Sequence, residues 1–229
     1  MKGEQITFSV IVPAINEAEM IEVCVRHIRQ LEPQVEVIVA DGGSDDGTAG
    51  RAWAAGARVC YAPRGRGPQC NAGANLSTGD VLLFLHADTR LPANAFSLLR
   101  REFANRRLQV GTFRLTFDAS HWLYDLYTFF SRFDSVFTSF GDQCIVIRRS
   151  FFSRLGGFPD WPLFEDVRLL QKARACTTVR SFPAAIVTSA RRFEREGVLR
   201  QSLRNSWYVL QYLCGRAPET LAARYERRH

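Results

Sequence analysis

Short apolar runs rich in β-branched residues, each ending in a polar turn and each followed by a helical pattern, leave few folds open to the N-terminal part of the chain. Phe8 to Val12 leads to Asn16, which reads as an N-cap with Glu19 as its capping-box partner, opening an amphipathic stretch through Gln30. Val35 to Ala40 runs into the Gly-rich turn Asp41 to Gly47, then a helix Thr48 to Ala55 and a strand Arg58 to Ala62. After a loop Pro63 to Pro68 come a short helix Gln69 to Leu76, a strand Val81 to Leu85 and a helix from about Ala93, with Pro92 suited to its first turn. Strands alternating with helices predict an α/β fold with a mostly parallel central sheet flanked by helices. Such sheets bind ligands beyond the carboxyl ends of their strands, where Asn16, Asp41 and Asp88 would all emerge.

The second half is less regular. A strand Gly111 to Phe117, an aromatic helix His121 to Phe133, a strand Cys144 to Ile147 and helices near Ser150 and Asp166 are expected, and Pro159, Pro162 and Pro183 are read as loops inside the domain. At 229 residues the chain fits one domain, and no internal repeat divides it.

Charge and cysteine usage exclude several function classes. The formal charge of +7 is uneven: residues 1–98 hold 8 basic and 11 acidic side chains, residues 99–229 hold 22 and 12. A basic half suits nucleotide phosphates, anionic lipid or nucleic acid, but no RNA- or DNA-binding module pattern accompanies it. The six cysteines form no CxxC pair and have no His at metal spacing, so neither a zinc site nor a disulfide framework is indicated. No apolar run approaches the roughly 18 residues of a membrane span, and Phe8 to Val12 is followed at once by Pro13 and Asn16, unlike a signal peptide. A cytoplasmic protein is expected. The aromatics between His121 and Phe140, and Trp207, Tyr208 and Tyr212 among Arg200 and Arg204, suit packing; peripheral contact with the inner face of a membrane is the minority reading, and homo-oligomerisation stays open.

The runs VIVPAINEAE, VIVADGGSDDGT, RGRGPQCNAGA and LLFLHADT follow one another in this order, and GDQCIVIRRSFFSRLGGF, LFEDVRLLQKAR and SARRFEREGVLR continue the series. The series resembles the family 2 glycosyltransferases, whose GT-A fold is a Rossmann-like nucleotide-diphospho-sugar transferase architecture, and within them the small soluble bacterial-type subgroup rather than the large processive synthases. The resemblance divides the single domain 1–229 into a nucleotide-sugar-binding half (1–98), an acceptor and catalytic half (99–190) and a basic C-terminal helical segment (191–229).

It also implies roles. Pro13, Ala14 and Glu17 would contact the nucleoside, Asp41 would hold the base, and the basic loop Arg64, Gly65, Arg66, Gly67 would approach the nucleotide, Arg64 and Gly65 being taken as its donor contacts. His86-Ala87-Asp88 stands where the family carries its Asp-x-Asp metal motif: Asp88 is the matched ligand for Mn²⁺ or Mg²⁺, Ala87 lies on the donor, and His86 departs from the pattern, its roles open between metal ligand, ribose contact and packing. Arg191 and Arg192 match a basic pair, at least one of which would reach the diphosphate. Glu165-Asp166 matches the catalytic position, with Asp166 the base for single displacement with inversion, and Asp142 and Gln143 look like acceptor-side polar groups.

Each of these has a plainer counterpart: helix capping for Asn16 and Glu17, a turn for Asp41 to Gly43, a solvated loop for Arg64, surface charge for Arg191 and Arg192, and an acidic first turn for Glu165 and Asp166. The expected activity is transfer of a sugar from a nucleotide diphosphate, UDP favoured, to a hydroxyl acceptor that is a small molecule, saccharide or lipid. A sugar-phosphate nucleotidyltransferase, whose Gly-rich, Lys-bearing loop is absent, and a non-catalytic nucleotide-sugar-binding module are the alternatives.

Overall fold

Val10 and Val12 face one side of their strand and Ile11 the other, and all three are wholly buried, so helices must cover both faces of the sheet. The computed structural model describes residues 6–119, 121–130, 143–190 and 197–226. Its strands are β1 (Phe8–Ala14), β2 (Glu36–Asp41), β3 (Arg58–Tyr61), β4 (Val81–Phe84), β5 (Thr89–Arg90), β6 (Val110–Phe117), β7 (Ile145–Arg148) and β8 (Arg180–Thr188). The helices are α1 (Ile21–Leu31), α2 (Thr48–Ala54), α3 (Arg66–Leu76), α4 (Ala95–Phe103), α5 (Trp122–Phe130), α6 (Arg149–Leu155), α7 (Glu165–Arg174), α8 (Val198–Leu213) and α9 (Pro218–Glu226).

The strands form one sheet in the order β3-β2-β1-β4-β7-β6-β8-β5. β3, β2, β1 and β4 run parallel, β7 lies antiparallel between β4 and β6, β6 and β8 are parallel, and β5 is antiparallel to β8. This arrangement brings the carboxyl ends of β1, β2, β4, β6 and β8 and the amino end of β7 to one edge. α1 and α4 pack on one face through Ile21, Val25, Ile28, Phe96 and Leu99. α3, α6 and α7 pack on the other through Cys70, Ala74, Phe151, Phe152 and Leu169. α8 and α9 close over α7 around Phe164, Val167, Tyr208 and Leu221. No helix among the described residues is long and apolar enough to cross a membrane.

Four local expectations fail for physical reasons. Asn16 does not cap α1, which starts at Ile21 with Met20 as N-cap; Asn16 adopts left-handed geometry (φ 53°) and ties two loops together. α3 begins at Arg66, three residues before the expected start, because Pro68 fits a first turn whose N–H groups have no intrahelical acceptor. Pro183 lies inside β8, where the pairing steps from Thr112↔Ser181 to Arg114↔Ala185 and leaves it in a bulge, the place in a sheet where a missing N–H costs little. The aromatic stretch is not all core: Tyr124 is buried, but Trp122, Leu126 and Phe129 are exposed along one side of α5.

The edge opposite the ligand side is stapled by Glu36. Its carboxylate accepts from the Ser9 hydroxyl, the Thr78 N–H (2.8 Å) and Arg58, while Ser9 Oγ accepts from the Gly79 N–H (2.9 Å). Burial pushes this carboxyl up, but the bonds from Ser9, Thr78 and Arg58 outweigh it and leave it below its ordinary 4.5. A depressed carboxyl contributes stability that is fully present above the unfolded value and lost as pH falls through the folded one. Glu36→Gln is therefore expected to lower stability by about 1–2 kcal/mol at pH 7, a gap that closes as both proteins are acidified below that range. Thermal unfolding from pH 7 to pH 3 checks this, and a gap that stays constant with pH counts against it.

Candidate functional site

The loops after β1 and β2 hold each other. The Asn16 N–H donates to Ser44 Oγ (3.0 Å), the Asp45 N–H to Asn16 Oδ1 (3.1 Å), the Glu17 N–H to Thr48 Oγ1 (2.9 Å) and the Ala18 N–H to Asp46 Oδ2 (2.9 Å). Asp41, at the end of β2, is 1% exposed, and its carboxylate accepts from the Gly43 N–H (3.1 Å), the Ser44 N–H (3.0 Å) and the Ser44 hydroxyl. It shapes the turn from within, and with up to four acceptor positions on two oxygens it keeps capacity for a further donor. Pro13 is half-buried and Ala14 buried beside it.

Gln69 is a residue that sequence patterning missed. It is buried in the first turns of α3; its Nε2 donates to the carbonyls of Ala14 (2.7 Å) and Ala40 (2.8 Å), and its Oε1 accepts from the Gly65 N–H (3.3 Å). One amide thereby joins the ends of β1 and β2 to the loop carrying Arg64 and Gly65. A Cβ on Gly42 would stand 3.0 Å from the Gln69 amide, so glycine there accommodates the bridge. The only sequence signal is a polar residue on a helix face otherwise filled by glycine, cysteine and alanine.

An open cleft lies at the carboxyl edge, and Pro13, Arg66, Cys70, His86, Glu165 and Asp166 contribute to its lining. Arg64 and Arg66 are both exposed; Arg64 does not line the pocket, whereas Arg66, the first residue of α3, does and donates from Nε to Glu165 Oε1 (2.7 Å). Glu165 and Asp166 occupy the first turn of α7, both buried, where the helix dipole favours negative charge. Asp166 Oδ1 accepts from the Val167 N–H (2.7 Å).

His86 and Asp88 follow β4. The His86 carbonyl accepts from the Thr89 N–H (3.1 Å), and the Thr89 hydroxyl lies 3.3 Å from Asp88 Oδ1. Ala87 between them is buried. Cys24 lies beneath this turn, its thiol pushed up to about 12 by burial and by the negative charges of Asp88 and Glu17, so it stays protonated at neutral pH. Among the described residues no three His, Cys, Asp or Glu side chains converge on a metal position.

Gln143 is buried at the amino end of β7, on the same edge. Asp142, Arg191 and Arg192 lie outside the described residues. Among the described residues the non-glycine positions with positive φ are Asn16, Cys144 (54°) and Phe164 (65°). Each adjoins a site residue: Glu17, Gln143 and Glu165. Unfavourable backbone geometry held in place by its surroundings clusters at functional sites.

Residues 9–156 match the family model described as Glycosyl transferase family 2. The chain is 33% identical over 93 residues to 4,4'-diaponeurosporenoate glycosyltransferase of Staphylococcus haemolyticus (strain JCSC1435), a match covering 37% of this chain and 25% of that protein. It thus spans about a quarter of the length of that curated relative. The 1–349 fragment of S. aureus TarS, solved with UDP-GlcNAc, superposes with a TM-score of 0.64 at 16% identity, over 80% of this chain and 58% of that one. Glucosyl-3-phosphoglycerate synthase from Mycobacterium tuberculosis, solved with Mn²⁺, UDP-glucose and phosphoglyceric acid, superposes with a TM-score of 0.66 at 20% identity, over 93% and 81%. Such identities speak to the fold, and the fold is GT-A. With the family model covering most of the chain from β1 through α6, the protein belongs to glycosyl transferase family 2.

Proposed function

We propose that the chain is an inverting glycosyltransferase that moves a sugar from a UDP-sugar to a hydroxyl acceptor. One observation carries this: Pro13, His86 and the Glu165-Asp166 pair line a single pocket at the strand edge, and Asp88 stands two residues beyond His86 in the turn after β4. UDP as the nucleotide is supported by the UDP-sugars held by TarS and glucosyl-3-phosphoglycerate synthase.

The chain's residues divide the work as follows. Pro13, Ala14, Glu17 and Asp41 form the nucleoside wall, fixed by the reciprocal bonds between their loops. Asp166 takes the proton of the acceptor hydroxyl as that oxygen attacks the anomeric carbon. The bond from that carbon to the diphosphate oxygen breaks, and the nucleoside diphosphate leaves with the electron pair. Glu165 holds Arg66 at the pocket wall, and we assign it to positioning. Arg191 and Arg192 are proposed to reach the diphosphate, and Asp142 and Gln143 the acceptor.

Asp88 and His86 fit a divalent ion that is shared with the donor. They supply one carboxylate and one imidazole and no closed cage, and Mg²⁺ is commonly held by one or two carboxylates plus substrate phosphates, while imidazole suits Mn²⁺. When bound, such an ion stabilises the negative charge of the leaving diphosphate. We place the enzyme in the cytoplasm. A peripheral position on a membrane face is supported by Trp122, Leu126 and Phe129, exposed at i, i+4 and i+7 on α5.

Calorimetric titration of UDP, GDP and dTDP, each with Mn²⁺, Mg²⁺ or EDTA, tests the donor site. UDP is expected to bind with metal and to lose most of its affinity in EDTA. Binding of none of the three would return the choice to a nucleotidyltransferase, and donor binding without transfer to any acceptor to a non-catalytic module.

A further inference from the structure

α3 touches the segment that carries the catalytic pair at three points. Gly67 and Asn71, four residues apart, lie on one face of the helix, and Arg66 stands at its first position beside Gly67. The Asn71 amide donates from Nδ2 to the Phe158 carbonyl (2.9 Å) and accepts at Oδ1 from the Phe158 N–H (3.0 Å). Four residues earlier, a Cβ on Gly67 would stand 2.4 Å from the Pro159 carbonyl oxygen, so backbone passes backbone with no room for a side chain. Arg66 then pairs with Glu165, the neighbour of Asp166.

The segment needs such support. Gly156 (φ 77°) and Gly157 (φ 69°) turn the chain out of α6 in left-handed geometry, and Phe164 (φ 65°) turns it into α7. Between these turns Phe158 lies in neither strand nor helix, yet its side chain is buried and its ring packs on Phe84 at 4.8 Å, lining the pocket. A buried backbone outside regular structure has to find side-chain partners, and the Asn71 amide meets both of Phe158's groups at once. On its other side the same helix holds the ends of β1 and β2 through Gln69. One helix thus spans from the nucleoside wall to the catalytic carboxylates.

We propose that α3 is the clamp that sets the position of Asp166 relative to the donor, with Asn71 as a positioning residue for the reaction. This rests on Asp166 being the base. Displacement of a catalytic group by about 1 Å costs on the order of 100-fold in rate, whereas nucleotide affinity depends on the other side of α3 and should survive.

Hydrogen exchange of Asn71→Ala, followed in residues 158–166 without substrate, is the first test. Exchange there is expected to speed up by roughly tenfold or more while the strands keep their protection. With UDP-glucose and Mn²⁺ as probe and water as the acceptor, kcat for release of UDP should fall by roughly 10- to 100-fold, with the Kd for UDP within about threefold of wild type. Should Asn71→Ala fail to fold, N71D keeps the shape and the acceptor oxygen. Its carboxyl donates to the Phe158 carbonyl only when protonated, so its kcat relative to wild type should rise as pH falls. Unchanged exchange in 158–166 with wild-type kcat, or an N71D ratio independent of pH, would overturn the clamp. Asp166→Asn measured alongside separates the two proposals: an active D166N with a loosened N71A segment removes the base and leaves the clamp. An inactive D166N with a fully active N71A does the reverse.

Discussion

Asp166→Asn is expected to lower transfer by about 10²- to 10⁴-fold, the range set by removing a general base, while UDP still binds in the presence of metal with near wild-type affinity. The asparagine keeps the volume and the acceptor oxygen that receives the Val167 N–H, so α7 should start as before. What disappears is the capacity to take a proton. Glu165→Gln is the control. Glu165 is as buried as its neighbour but is engaged by Arg66 at 2.7 Å, so its loss should loosen the pocket wall and affect donor binding as well as rate. The measurement is kcat and KM for both variants beside calorimetric UDP affinities. A fully active Asp166→Asn enzyme removes the base assignment, and a dead Glu165→Gln with unperturbed UDP binding transfers the role to Glu165.

The second large effect is expected from Asp88→Ala. Asp88 supplies the single carboxylate of the turn after β4, with His86 as the other ionisable group there. Removing it should weaken metal-dependent UDP binding by about 3 kcal/mol, roughly two orders of magnitude in Kd, while affinity in EDTA stays where it was. The turn itself should persist, because the bond that closes it runs from the Thr89 N–H to the His86 carbonyl and involves no Asp88 atom. His86→Ala then shows whether the imidazole shares the ion: a loss of similar size makes it a ligand, and no loss leaves it as part of the wall. Equal UDP affinity of wild type and Asp88→Ala at every Mn²⁺ concentration would remove the metal assignment.

Much of the fold was legible in the chain itself. The first four strands, their helices and the convergence of Asp41 and Asp88 on one edge follow from period and turn chemistry, which are local properties. Strand β8 was not legible, because Pro183 and scattered polar residues mask its pattern, and it becomes a strand through pairing with β6, distant in sequence. Asn16 has the sequence of a cap and the position of a loop tie, since Ser44 and Asp45 compete for it from across the edge.

For the site, sequence determined which residue types stand at the strand ends and at the start of α7: Pro13, Asp41, His86 and Asp88, and the Glu165-Asp166 pair, are identities no packing could supply. Only the tertiary structure decided which of them meet. It put Arg66 rather than Arg64 on the pocket, buried Gln69 between two strand ends, and brought Asn71 to Phe158 across 87 positions of chain. The physical reason is that side-chain identity and helical or strand period are written locally, whereas a hydrogen-bond partner is whatever group the packing of α3 against the sheet and α7 leaves within about 3 Å.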